Sequence, residues 1–372
     1  CPIEAWMTKN DASMGNQELR INKGILSMTG MYVKDALGLQ DDPITGKLKN
    51  KKICIVTDET VDPLYGRENQ TLWRSLTLTG FEVHKYVFPG GEDSKNMETI
   101  EELLEFLAAK RFTRTDVLLA LGGGIVGDVT GFAAATYLRG IEFIQVPTTL
   151  LAIVDSSVGG KTGVNLKAGK NLAGAFWQPS LVLFDSEFLD TLSYDIKLDG
   201  IAEAIKAGII AEPLILDSIK MKRTLDDPDF LMNLASLAIE VKRKVVEEDE
   251  RDNGSRQLLN LGHTLAHAIE KCSRYKISHG HAVAMGMKIV AIASDRLGWT
   301  VENCSEDILE ILERFKFPLR CPYSAWELAN AAMQDKKIRG GNITLVVPAR
   351  IGKCRLKTIS VNKLEQFISY GL

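Results

Sequence analysis

Between residues 51 and 149 the chain alternates short apolar runs with stretches of helical periodicity. KKICIVTDE (51–59), FEVHKYVFPGGE (81–92), DVLLALGGG (116–124) and IEFIQVPTT (141–149) read as buried strands that end in glycine or polar residues. NMETIEELLEFLAAK (96–110) and GDVTGFAAATYL (127–138) carry a helical pattern between them. Strands alternating with helices imply βαβ units and a mostly parallel sheet. Ligands on such sheets bind at the carboxyl ends of the strands, where this sequence puts its glycines.

From about Thr191 the character changes. LDGIAEAIKAGIIA, FLMNLASLAIEVKRKVVEEDE, LLNLGHTLAHAIEKC and HAVAMGMKIVAIASDRLG all read as helices, and NITLVVPARIGKCRL (342–356) is a late strand signal. The expected architecture is an α/β domain over residues 1–190 with a mostly parallel sheet, then a mainly α-helical domain over 191–372. The active site is expected in the cleft between them. A chain of 372 residues is too long for one ordinary core, which agrees with two domains. Residues 1–22 show no clear pattern, and 37–50 read as a loop.

Composition narrows the partners. Lys plus Arg is 45 against 48 for Asp plus Glu, a net charge of −3, which argues against nucleic acid or an anionic membrane surface. No apolar run approaches the roughly 20 residues needed to cross a bilayer. The six cysteines (1, 54, 272, 304, 321 and 354) never form C-x-x-C, a pattern expected of reduced thiols in a cytoplasm. The first residues lack the features of a secretory signal, so a cytoplasmic location is expected.

Three features carry chemistry. In LLALGGGIVGD a strand runs into Gly122, Gly123 and Gly124 before a helix opens at Gly127 and Asp128. Such a turn either brings a phosphate to the backbone amides of the helix start or is a plain tight turn. GGEDSK (90–95) and PTT (147–149) favour the first reading, because three such strand ends on one parallel sheet resemble a dinucleotide crevice.

Four of the five histidines fall within nineteen residues: His263, His267, His279 and His281. His263 and His267 are four apart and share a helix face. Either they hold a divalent metal with a third ligand, or one is a surface histidine. Their density, and the acidic Glu203 inside the apolar helix GIAEAIK, favour a metal held by two histidines and a carboxylate. The missing glutamate after the first histidine argues against a metalloprotease.

Basic residues form the third feature. Lys161 and Lys170 lie in a Gly-rich segment, Lys206 shares a face with Glu203, and Lys242, Arg256 and Lys336 have Asn260 and Asp335 nearby in sequence. Singly each reads as a surface charge; together they read as a site for phosphate or carboxylate.

Taken in order, GGGIVGDVTGFAAATYLRG, QVPTTLLAIVDSSVGGKTGVN, GKNLAGAFWQP, GIAEAIKAGII, DERDNGSRQLLNLGHTLAHAIE and SHGHAVAMGM resemble the 3-dehydroquinate synthase family, from about Lys51 to the C-terminus. The resemblance implies a lyase with an NAD-binding α/β domain and a helical metal domain, usually a homodimer. Its substrate would be a sugar phosphate, 3-deoxy-D-arabino-heptulosonate 7-phosphate, converted to 3-dehydroquinate and phosphate in the shikimate route to aromatic amino acids. The implied chemistry is transient oxidation by NAD, β-elimination of phosphate, re-reduction and an intramolecular aldol closure.

Residue by residue, the resemblance assigns the metal (zinc or cobalt) to Glu203, His263 and His279, so that His267 becomes a substrate-phosphate contact. It places Asp155, Lys161, Asn171, Lys206, Lys242, Arg256, Asn260, His267 and Lys336 in the substrate pocket, with Lys337 as the alternative to Lys336. Arg139 is implied to serve the neighbouring subunit's phosphate site. For NAD it points to Asp58, Glu92, Lys95, Gly123, Gly124, Asp128, Thr148, Thr149, Lys161, Lys170 and Thr191. The family usually has His-Gly-Glu after the last ligand; here the run is His279-Gly280-His281, which bears on the tuning of the metal more than on its ligation.

Sister cyclases acting on other sugar phosphates share these expectations, but tend to replace several of Lys242, Arg256, Asn260, His267 and Lys336. A polyol dehydrogenase of the glycerol dehydrogenase type usually holds its metal with Asp and two His, against the Glu203 seen here. A homologue without activity is disfavoured by the intact ligand and lysine set.

Overall fold

The computed structural model describes residues 12–14, 17–43, 48, 51–222, 224–249, 254–333, 338–339 and 341–372. By internal contacts the chain divides into two compact units, Cys1–Leu192 and Ser193–Leu372.

In the first unit the four apolar runs form strands of one sheet. After β1 (Ala12–Met14) and β2 (Gln17–Asn22) come helix α1 (Thr29–Ala36), β3 (Lys52–Asp58), α2 (Thr71–Thr79), β4 (Glu82–Phe88), α3 (Met97–Ala109), β5 (Val117–Gly122), α4 (Gly124–Thr136) and β6 (Glu142–Pro147). A hairpin, β7 (Lys161–Leu166) and β8 (Gly169–Phe176), precedes β9 (Leu181–Asp185). The seven-stranded sheet has the order β1-β2-β9-β6-β5-β3-β4. Every neighbouring pair is parallel except β1 with β2. β5 is buried at every position, as a strand covered on both faces must be. Leu103 and Leu107 of α3, Val129 and Ala133 of α4, and Phe143 of β6 share its core.

One segment without a sequence reading takes a definite form, and one helix reading changes. The Gly- and Lys-rich segment after Asp155 is an antiparallel hairpin, β7–β8, a sheet of its own. The helix expected to reach Leu138 gives way at Tyr137–Arg139 to a short 3-10 turn.

The second unit is built of helices: α5 (Tyr194–Ile210), α6 (Pro213–Lys220), α7 (Pro228–Glu248), α8 (His263–Cys272), α9 (His279–Arg296), α10 (Ser305–Arg314), α11 (Ala325–Ala332) and α12 (Leu364–Gly371). α9 is central and packs against α5, α8, α10 and α12. The late strand signal is a three-stranded antiparallel sheet of β10 (Ile338–Arg339), β11 (Asn342–Arg350) and β12 (Lys353–Ser360). The segment read as one helix from Leu258 is instead a 3-10 turn (Ser255–Asn260), then Gly262 at φ 76°, then α8. Glycine is required there for two reasons. The backbone is left-handed, and a Cβ would stand 2.9 Å from the Met287 backbone nitrogen of α9. Among the described residues, no helix is long and apolar enough to cross a membrane.

Candidate active site

In the second unit, Glu203 of α5, His263 of α8 and His279 of α9 bring one ligand atom each to within 4.8 Å of one another. Nε2 of His263 and Nε2 of His279 both lie 3.5 Å from Oε1 of Glu203. The other ring nitrogens are engaged elsewhere. His263 Nδ1 is 3.1 Å from the Leu261 carbonyl, and His279 Nδ1 is 3.6 Å from Oε1 of Glu270 on α8. A carbonyl that accepts from Nδ1–H leaves the Nε2 lone pair free to bind a cation. Glu203 is 3% exposed, and burying a carboxylate is costly unless cations face it. It ion-pairs with Lys206, one turn on along α5. Burial disfavours a protonated His279, but the Glu203 and Glu270 carboxylates outweigh that and raise its pKa to about 10. Two imidazoles and a carboxylate, converging around a point that favours positive charge, fit a zinc-like divalent ion.

Sequence reasoning missed Glu270, which is 5% exposed. Its signal was available, since residues 263, 267 and 270 recur on one helix face. His281, the departure from the family pattern, turns away from this cluster: its Nδ1 is 3.0 Å from Asp199 Oδ1 and 2.7 Å from Ser278 Oγ.

Further cations are buried in the same unit. Lys206 is 3% exposed, Lys242 on α7 8% and Arg256 in the 3-10 turn 3%. Asp249 Oδ2 accepts the backbone N–H groups of Gly254 and Arg256 and so shapes the turn that carries Arg256. Asn260, at the end of that turn, donates to the Gln257 carbonyl at 3.2 Å. The His267 ring centroid is 5.8 Å from that of His263, and His267 is exposed. Lys336 and Lys337 lie outside the described residues.

In the first unit, strand register aligns the carboxyl ends. Asp58 pairs with Phe88 and Gly122 with Pro147. Chain order reverses between β3 and β5, the kind of switch point where open α/β sheets bind ligands. Gly123 forms the N-cap of α4, and a Cβ on it would meet Thr149 Cγ2 at 3.4 Å. Thr149 Oγ1 accepts from Ala152 N, and Thr148 is buried. Asp58 Oδ1 accepts from Thr60 N and Val61 N, both at 2.9 Å.

Lys95 reaches both Asp128 Oδ2 (2.5 Å) and Asn171 Oδ1 (2.7 Å), so it joins α4 to the β7–β8 hairpin. Burial raises the Asp128 pKa above its ordinary value, against the pull of Lys95. Glu92 accepts from Asn165 Nδ2 at 2.8 Å and lies 3.4 Å from Lys170. Asn171, which the resemblance groups with the substrate, is thus bonded to Lys95, which it groups with NAD. Asp155 is half-buried in a single helical turn (Ala152–Ser156), and Lys161 is exposed at the start of β7. Thr191 Oγ1 is 2.8 Å from Tyr65 OH. Arg139 is exposed, between Leu138 at φ 50° and Gly140 at φ 123°, and is itself at φ 70°.

Known families match both units. The 3-dehydroquinate synthase N-terminal family matches residues 85–198, and the 3-dehydroquinate synthase C-terminal family matches residues 200–338. The chain belongs to the 3-dehydroquinate synthase family.

Among curated members, the 3-dehydroquinate synthase of Streptococcus suis is 40% identical over 361 residues, covering 94% of this chain and 96% of that one. The Clostridium acetobutylicum enzyme is 40% identical over 323 residues, 86% of this chain and 89% of that one. The Enterococcus faecalis enzyme is 38% identical over 355 residues, 95% of each chain.

The fold is shared with two solved synthases. A 2-deoxy-scyllo-inosose synthase complexed with carbaglucose-6-phosphate, NAD+ and Co2+ has a TM-score of 0.82 at 24% identity, covering 95% of this chain and 97% of that one. A 2-epi-5-epi-valiolone synthase from Streptomyces hygroscopicus subsp. jinggangensis 5008 with NAD+ and Zn2+ bound also has a TM-score of 0.82 at 24% identity, covering 94% and 95%. A probable glycerol dehydrogenase from Sinorhizobium meliloti 1021 is more distant, with a TM-score of 0.62 at 14% identity, covering 95% of each.

Proposed function

We propose that the protein acts as a 3-dehydroquinate synthase, converting 3-deoxy-D-arabino-heptulosonate 7-phosphate to 3-dehydroquinate and phosphate in the shikimate route. The observation that carries this reading is the cluster of buried Glu203 and His263 with half-buried His279, with buried cations in the same family-matched domain. NAD and a zinc or cobalt ion are its cofactors, as the NAD- and metal-bound complexes of the two synthases support. When bound, NAD would supply a hydride acceptor and donor for the substrate's C5, and the metal would supply Lewis-acid polarisation of the C5 oxygen.

The chain's own residues do the remainder. Glu203, His263 and His279 hold the metal. Lys206, beside Glu203, stabilises negative charge that develops on the substrate oxygen as its proton leaves. The substrate carries a phosphate and a carboxylate, and the buried cations Lys242 and Arg256 give anions a site with little competing water. Asn260 and His267 add hydrogen-bonding groups and Lys336 (or Lys337) a further cation, with His267 on the phosphate. Charge building on the departing phosphate is balanced by these cations, which lowers the barrier to β-elimination. Asp155, Lys161 and Asn171 orient the substrate, so that the aldol closure follows from a fixed geometry.

For NAD, the strand-end glycines Gly123 and Gly124 let the pyrophosphate approach the start of α4. Asp58, Glu92, Lys95, Asp128, Thr148, Thr149, Lys161, Lys170 and Thr191 contact the cofactor. Arg139 acts in the neighbouring subunit of a homodimer; three consecutive positive φ values place this exposed cation on a strained turn, a kind of feature that clusters at functional sites.

The test is phosphate release by the purified protein with NAD and zinc, offering the heptulosonate phosphate, glucose 6-phosphate and sedoheptulose 7-phosphate in parallel. Catalytic release from the first alone, without accumulation of NADH, is expected. Release from either other sugar transfers the protein to a sister cyclase, and NADH accumulation without phosphate makes it a dehydrogenase.

A further inference from the structure

α9 begins at the metal ligand His279, yet its N-cap residue, Ser278, makes no cap bond with its own side chain. The cap comes from another helix. Asp199 Oδ1, on α5, accepts the backbone N–H of His281 at 3.2 Å and the Ser278 hydroxyl at 2.6 Å. The same oxygen lies 3.0 Å from His281 Nδ1. Three donors from the start of α9 therefore converge on one carboxylate oxygen, which also meets the positive end of the helix dipole.

The backbones meet at the same point. A Cβ on Gly280 would stand 2.2 Å from Asp199 Cα, so α5 and α9 touch with no side chain between them. Glu203 follows Asp199 by one turn of α5, and Gly280 directly follows His279. The junction thus fixes the position of one metal ligand relative to another.

We propose that Asp199, His281 and Ser278 form a clamp of positioning residues that sets the Glu203–His279 geometry and so the affinity for the metal. The proposal rests on the reading that Glu203, His263 and His279 hold that metal. The clamp touches neither metal nor substrate. It acts by denying α9 the freedom to slide or tilt along α5, which would otherwise spread the ligand atoms. Both side chains are shielded, with 13% of His281 and 16% of Asp199 exposed, so the bond is weakly screened by water.

The experiment is zinc binding by the full-length protein, measured by competition with a chromophoric chelator, with urea unfolding of the metal-free protein in parallel. His281→Ala is expected to weaken zinc about 10–100-fold. His281→Asn, whose side-chain amide stands where Nδ1 stands, is expected to recover most of that loss. Wild-type affinity in His281→Ala overturns the proposal. Equal losses in the Ala and Asn variants also overturn it, because they assign the effect to the imidazole's packing on Phe317, whose ring centroid is 5.9 Å away.

If His281→Ala does not fold, Ser278→Ala removes one donor from an exposed side chain; it should weaken zinc in the same direction, and no change overturns the clamp. Glu203→Ala distinguishes the two levels of the argument. Retained zinc there overturns the metal-site reading and the clamp together. Loss of zinc there, with unchanged affinity in the clamp variants, overturns the clamp alone.

Discussion

Glu270 Oε1 lies 3.6 Å from Nδ1 of His279, on the side of the ring away from Glu203. The imidazole is thus held between two buried carboxylates, one of them the proposed metal ligand Glu203. A carboxylate behind a ligating histidine fixes its tautomer and raises its basicity. Glu270→Gln keeps the size and loses the charge, and is expected to weaken zinc about 10–100-fold while the protein stays folded. Chelator competition and circular dichroism measure the two effects.

Glu203→Ala and His263→Ala are expected to remove stoichiometric metal, and phosphate release with it. Metal analysis of the dialysed proteins is the check, and full occupancy in both variants would sink the ligand assignment.

Gly262→Ala should destabilise the fold. Its φ of 76° costs a residue with a side chain about 1–3 kcal/mol. The added Cβ also presses on the Met287 backbone, moving α8 away from α9 and His263 away from His279. A lower urea midpoint together with weaker zinc binding is the expected pair of results.

Asp128→Ala removes the carboxylate that holds Lys95, which then keeps only its bond to Asn171 among the contacts given above. We expect a higher Kd for NAD with zinc binding unchanged, since Asp128 belongs to the other compact unit from the metal cluster. Fluorescence titration with NADH reads the first and chelator competition the second.

Arg139→Ala is expected to reduce turnover without lowering the unfolding midpoint, because the side chain is exposed. Mixing inactive Arg139→Ala and Lys161→Ala proteins under conditions that allow subunit exchange should restore part of the activity. No restoration in demonstrated heterodimers would count against a shared site.

Sequence alone determined most of the elements and the helix faces that carry the candidate ligands. The four apolar runs are strands because wholly buried parallel strands need apolar residues on both faces. Residues 203 and 206 share a helix face, as do 263 and 267, because helical period fixes direction within one element. What periodicity cannot state is which face of which other element lies opposite. Lys95 meeting Asn171 depends on how the β7–β8 hairpin folds back, and a Gly-rich run gave no signal of it. The pairs Glu270–His279 and Asp199–His281 depend on the approach of α9 to α8 and α5, made close by Gly262 and Gly280. These pairings join residues on separate elements, and only packing the cores at full density brings their side chains into register.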